Sequence, residues 1–315
     1  MTRFVIALML VAVPAAAPAL ADPEDSCLGR QPTLVGTGGN DQLVGTDGDD
    51  VILGLHGSDR IDSGDGNDVV CGGEGNDVVR AGPGNDRVDG WRGADDISGE
   101  DGDDHLTGGG QDDTLDGGAG ADRLEGRSGR DLLVGGDGDD QLRGNALSDR
   151  LLGGLGNDFL NGGNAHDRVF GEAGDDYLRE DDGNDLVDGG EGNDILNSID
   201  GNDLIRGGPG VDLLTMFNAT HHVDARLSLH NAHGLGFDRI YGIENLEGTR
   251  FPDILYGDNK ANIIRGLGGS ESGEFRMLGL AGNDVILGGA GMDRNVDGGA
   301  GKDLCQAEKK VNCEQ

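Results

Sequence analysis

Aromatic side chains make up only 3% of the chain, so no large aromatic core is available. Basic residues are few as well: 24 Lys and Arg face 60 Asp and Glu, a formal net charge of −36. That balance argues against nucleic-acid partners and anionic membranes, and for bound cations. Long apolar runs are lacking too. The stretch 4–13 is too short to span a bilayer comfortably, and no other segment is a candidate for membrane insertion. What the chain has in excess is glycine, 63 of 315 residues, against a usual share of about 7%.

The glycines fall in a strict pattern. Across residues 36–214 an aspartate recurs every ninth residue, twenty times, and two residues after each sits Leu, Ile or Val. Two residues before it sits Gly, except at Gln111, Leu147 and Ala165. A disordered acidic tract is the plain alternative, but disorder does not require an aliphatic residue in one fixed slot. A period this strict means an array of small stacked units.

One clean unit is Gly72-Gly73-Glu74-Gly75-Asn76-Asp77-Val78-Val79-Arg80. Its last three residues read as a short strand with the middle side chain pointing in. The first six read as a turn whose glycines accept positive φ and let neighbouring turns lie close. Two units then make one coil of eighteen residues with a turn at each side.

Flanking segments are read as follows. Residues 1–21 have the form of a secretory signal peptide, with Arg3 as the positive start and cleavage expected after Ala21. The mature protein is expected to be secreted, an environment that permits disulfides. Proximity favours Cys27–Cys71 and Cys305–Cys313, one bridge at each end of the array. The expected division is an N-terminal cap at 22–35, the array at 36–214 and an irregular insertion at 215–250. A second repeat block at 251–303, itself interrupted at 270–280, and a tail at 304–315 follow.

A core of one aliphatic side chain per nine residues does not offset the entropy of ordering those residues, and the charge opposes compaction. Something that binds the turns must supply the difference. The turns offer only oxygen, from one carboxylate per unit and from carbonyls. Calcium, which takes six to eight oxygens at about 2.3–2.6 Å, fits that donor set. Magnesium demands a stricter octahedron, zinc and copper want His or Cys, and no EF-hand loop is present.

The nonapeptide resembles that of RTX, or haemolysin-type, calcium-binding repeat proteins. The resemblance implies an all-β fold, a right-handed parallel β-roll with two repeats per coil, and calcium held between stacked turns by carboxylates and carbonyls. Gly242-Ile243-Glu244-Asn245-Leu246-Glu247-Gly248-Thr249 resembles a family segment where an irregular coil rejoins the array. The Cys27-to-Cys71 opening is similar to that of exported relatives from high-GC Gram-positive bacteria. An N-terminal leader departs from the C-terminal export signal of many RTX proteins.

Alternate aspartates lie on opposite edges of such a roll. One edge carries Asp50, Asp68, Asp86, Asp104, Asp122, Asp140, Asp158, Asp176, Asp194 and Asp212, each with Gly two residues earlier. All three departures fall on the other edge, before Asp113, Asp149 and Asp167. Leu147 there must accept a backbone conformation that a branched residue dislikes. The expected ligands are therefore the ten of the Asp50 edge, Asp41, Asp59, Asp77, Asp185 and Asp203 of the opposite edge, and Asp284. The Asp41 edge is expected to be interrupted around Asp113 and between Asp149 and Asp167. Roughly fifteen filled sites would nearly neutralise the chain.

Other features are weaker. His221, His222, His230 and His233 cluster in the insertion without a ligand motif. Phe159, Tyr177, Ile195 and Leu213 should stack as an outward ladder, which the segment after Leu213 is expected to cover. The overall expectation is a non-enzymatic, secreted calcium-binding protein of structural or surface role. Its rivals are a partner-binding adhesin, whether for protein or glycan, and a polysaccharide-modifying enzyme.

Overall fold

The computed structural model of the protein describes residues 26–198, 200–234, 236–268, 276–289, 296–306, 310–311 and 313. The expected leader and its cleavage point, Asp293 and most of the 270–280 insertion lie outside the described residues.

The aliphatic residue of each unit sets the fold. Because one side chain in nine is large and apolar, only a chain that returns to the same place every two units can bring such residues together. Strands therefore pair in parallel with a shift of eighteen: Leu124 lies beside Leu142, Leu142 beside Leu160 and Leu160 beside Leu178. The opposite sheet does the same with Leu115, Leu133, Leu151 and Val169. These side chains are completely buried and form one continuous core between the two sheets. The result is an all-β parallel roll of stacked coils, with no α-helix among the described residues. Accordingly, none of them forms a helix long and apolar enough to cross a membrane.

Strands in the middle of the array are longer than the repeat predicts. Arg123–Ser128 and Leu132–Asp137 each span six residues, because the ladder runs on through the next unit's glycines, as in Gly118 beside Gly136. Only toward the ends, as in Arg60–Asp62 and Ile195–Asn197, do three-residue strands appear.

After Leu213–Thr215 the coil widens. Asp224–Arg226, Asn231–His233 and Phe237–Tyr241 form an antiparallel meander inserted edge-on into the second sheet. Between the first two of these strands lies a single 3-10 turn over Leu227–Leu229, closed by His230 at φ 54°. In the first sheet Asn245–Glu247 continues directly from Leu213–Thr215. The insertion thus extends the sheet rather than folding over the Phe159 ladder. Phe159 and Tyr177 do stack, with ring centroids 5.3 Å apart, and Ile195 stays 37% exposed.

Both cysteine pairs are joined. Cys27 bridges to Cys71 and Cys305 to Cys313, with Cα–Cα distances of 5.6 and 5.8 Å. The first ties the N-terminal cap to the third strand of the first sheet, and the second lies on its last strand.

Candidate metal sites in the turns

Each coil of the array at 36–214 carries two turns, and from Asp59 to Asp212 the turns present their aspartates in the same way. The carboxylate folds back over its own turn, so that Oδ1 accepts the backbone N–H of the aspartate one coil earlier. On the Asp50 edge this line runs from Asp50 through Asp68, Asp86, Asp104 and onward to Asp212, at 2.7–2.9 Å. On the Asp41 edge it runs from Asp41 to Asp203 at 2.7–2.9 Å. Two parallel rows of carboxylates result, nearly all of them buried.

The second oxygen decides the chemistry. From Asp59 to Asp212, the Oδ2 of every repeat aspartate is buried and accepts no hydrogen bond, and the same holds for Asp284 and Asp303. Burying an ionised oxygen without a partner is costly, so a row of them requires protons or cations. Burial pushes Asp77, Asp104, Asp158, Asp185 and Asp212 up to about 7. Asp149 rises to about 8 for the same reason. The backbone N–H that each accepts opposes the shift, and neighbouring carboxylates add to it. At neutral pH such groups sit between charge states, ready to release a proton to a hard cation. The donor set is all oxygen, which fits calcium.

The first glycine of the unit makes room for this oxygen. A Cβ built on Gly99 would stand 2.1 Å from the Oδ2 of Asp104, and one on Gly135 would stand 2.3 Å from that of Asp140. A side chain grown from either of these glycines would push directly on the carboxylate.

Two expected ligands differ from the rest. At Asp41 the N–H and hydroxyl of Thr37 donate to Oδ2, at 2.6 and 2.9 Å. At Asp50 the N–H and hydroxyl of Thr46 do the same, at 2.7 and 2.8 Å, while the Thr33 hydroxyl donates to Oδ1. The Thr46 hydroxyl holds Asp50 below the usual carboxylate range. Threonine here occupies the ligand face of the first turns, and the orphaned oxygen that argues for a cation elsewhere is lacking. At these two expected ligands the Oδ2 thus already accepts two protein hydrogen bonds, unlike the repeat aspartates from Asp59 to Asp212. Thr249 donates likewise to Asp253 at the start of the second block.

Asp95, Asp113, Asp131, Asp149 and Asp167 lay outside the expected set, yet their carboxylates are placed like the others. Gln111, Leu147 and Ala165 do adopt positive φ, of 81°, 72° and 89°. The carboxylates run on through the turns where a break in the calcium ladder was expected, and what departs there is the backbone of the turn. On the Asp50 edge the fourth turn residue donates to the next coil at 2.7–3.0 Å from Gly66 to Gly192. On the Asp41 edge that bond stretches to 3.2 Å at Gly93 and 3.4 Å at Gly129, and neither Gln111 nor Leu147 makes it. Ala165 makes it at 2.7 Å, so the weak zone ends before Asp167.

Asp238 and Glu244 take over the row in the irregular coil. Asp238 Oδ1 accepts the Asp203 N–H and Glu244 Oε2 the Asp212 N–H, both at 3.2 Å. Their surroundings, Gly236-Phe237-Asp238-Arg239-Ile240 and Gly242-Ile243-Glu244-Asn245-Leu246, repeat the Gly-x-acid-x-aliphatic pattern out of register. Asp303 joins Asp284 through the Asp284 N–H at 2.9 Å. The four histidines are not drawn together: His230 stacks on Tyr241, His233 meets Phe237 edge-on and His221 pairs with Thr220.

No curated protein matches the chain in a sequence search. The model of the RTX calcium-binding nonapeptide repeat does match, in overlapping segments over residues 35–178 and again over 181–214, 240–270 and 276–305. With that match spread over both repeat blocks, and carboxylates buried in the turns from Asp50 to Asp212, the chain belongs to the family of RTX calcium-binding nonapeptide-repeat proteins.

Proposed function

We propose that this calcium-binding β-roll is a secreted protein that folds on meeting extracellular calcium and serves a structural, non-enzymatic role at a surface or in a matrix. The observation that carries the reading is the double row of buried Oδ2 atoms without hydrogen-bond partners. Ionised, such rows are tolerable only when filled, because each bare charged oxygen opposes the stacking that buries it. An ion between two turns joins two coils, so binding and folding should be cooperative. Disulfides at both ends suit an oxidising environment.

Limited proteolysis tests this directly. The calcium-loaded chain is expected to resist a nonspecific protease across residues 36–214, and the EDTA-treated chain to be degraded throughout. Equal resistance in both conditions would remove the calcium-dependent fold. A second reading, docking of an apolar partner, is favoured by the half-exposed Phe159–Tyr177–Ile195 ladder, which the following segment leaves open.

A further inference from the structure

The turn at residues 180–185 breaks the rule that keeps side chains off the carboxylate. It reads Glu180-Asp181-Asp182-Gly183-Asn184-Asp185, with Glu180 where most units carry their first glycine. At the equivalent Gly171 even a Cβ would lie 2.2 Å from the Oδ2 of Asp176. A glutamate there is delivered onto the metal-facing side of its own turn. Glu180 is 1% exposed, and one oxygen each from Glu180, Asp185 and Asp203 lies within 4.8 Å of the other two. That span can be bridged by an ion with oxygen bonds of about 2.3–2.6 Å.

Two further observations point to a ligand. The Oδ2 atoms of Asp185 and Asp203, on residues 4% and 3% exposed, accept no hydrogen bond. Asp238, from the inserted meander, adds a fourth carboxylate against Asp203. An ordinary turn brings one carboxylate to its neighbour's; here Glu180, Asp185 and Asp203 converge, with Asp238 beside Asp203. Asp185, Asp203 and Asp238 also border a cleft of about 720 Å3, walled by His230, Phe237 and Tyr241. The cleft opens where the regular stack gives way to the meander, so an ion can reach the cluster from the side.

We propose that Glu180, Asp185 and Asp203, with Asp238 at the rim, form a carboxylate-enriched cation site within the row that binds calcium more tightly than the other repeat turns and pins the irregular coil to the array. The proposal rests on the calcium reading of the turns. It differs from it in the donor set, since Glu180 brings a carboxylate to a position that holds Gly, Ala or Ser in the other units of the array. More carboxylates around one calcium raise its affinity.

Calorimetric titration of the full-length chain with calcium, for the natural protein and for Glu180→Gln and Glu180→Gly, tests the site. The natural chain should show one ion bound at least about tenfold more tightly than the rest. Glu180→Gln should lose that ion while keeping the remaining stoichiometry. Glu180→Gly, which restores the residue used by most of the array, should fold normally and bind the ion with ordinary turn affinity. Superimposable isotherms for all three proteins would overturn the proposal and leave the cluster holding a shared proton only. Absence of calcium binding in every protein would instead overturn the calcium reading itself, and the proposal with it.

Discussion

The two edges of the roll carry the same carboxylates on unequal backbones. On the Asp50 edge the rung bonds from the fourth turn residue continue without a gap from Gly66 to Gly192. Only Glu100 and Glu172 hold positive φ there without being glycine. On the Asp41 edge Leu55, Trp91, Gln111, Arg127, Asn145, Leu147, Ala165 and Asp181 all do so, and two rung bonds are missing. The turn 144–149 is the extreme case, with both Asn145 and Leu147 left-handed. Aspartates thus fix where a metal is held, whereas glycines fix how well the turn's backbone can close around it. An edge can lose the second property and still keep the first.

The largest expected effect strikes both edges together and tests whether the carboxylate rows are equal. In the metal-free chain burial holds Asp104 and Asp158 on one edge, and Asp113 and Asp185 on the other, at about 7. These folded values lie above the unfolded one, so ionisation opposes folding. The stabilising contribution of the protonated groups is complete below about pH 4 and is lost as pH rises through 7. In EDTA, the β-type circular dichroism should therefore appear at pH 4 and vanish by pH 8. A metal-free chain that stays unfolded at pH 4 contradicts the assignment of the rows.

Next comes a contrast between turns. Gly138 stands at φ 140°, and a Cβ there would lie 1.7 Å from the Gly120 carbonyl oxygen. Gly138→Ala should cost about 3 kcal/mol or more in calcium-saturated unfolding, because the coils must part. Leu147→Gly, at φ 72° on the weaker edge, should instead stabilise by up to about 1 kcal/mol. Thermal denaturation measures both, and a destabilising Leu147→Gly would mean that its turn is not strained.

A smaller difference separates the aspartates. Asp140→Ala, in a fully bonded stretch, should lower calcium stoichiometry and blunt cooperativity more than Asp113→Ala, beside the unbonded Gln111. Either change also removes the acceptor for one backbone N–H, costing about 1–3 kcal/mol. Equal losses of calcium at the two positions would show that backbone closure does not govern occupancy.

Much of this was legible because the chain repeats one short rule. The eighteen-residue register, the aliphatic columns and the two disulfides follow from spacing and proximity, and the structure keeps them. Where the register slips, the same rule became invisible. Asp238 and Glu244 obey it, but at offsets of 35 and 32 residues from their partners. Glycine two residues before the aspartate marked only one left-handed position; the second, held by Trp91 or Asn145 in some units, carries no such signature. The difference at Asp41 and Asp50 emerges only from the fold, where the hydroxyl and N–H of Thr37 and Thr46 reach the Oδ2 that has no hydrogen-bond partner in the later turns.

The central claim is that filled carboxylate rows, not the narrow core, hold the coils together. Far-UV circular dichroism at neutral pH, followed as calcium is added to EDTA-treated protein and then removed again, tests it most directly. The account predicts a disordered spectrum without calcium, a steep cooperative rise to a β-rich spectrum, and full reversal on chelation. A β-rich spectrum that persists unchanged in EDTA would contradict it.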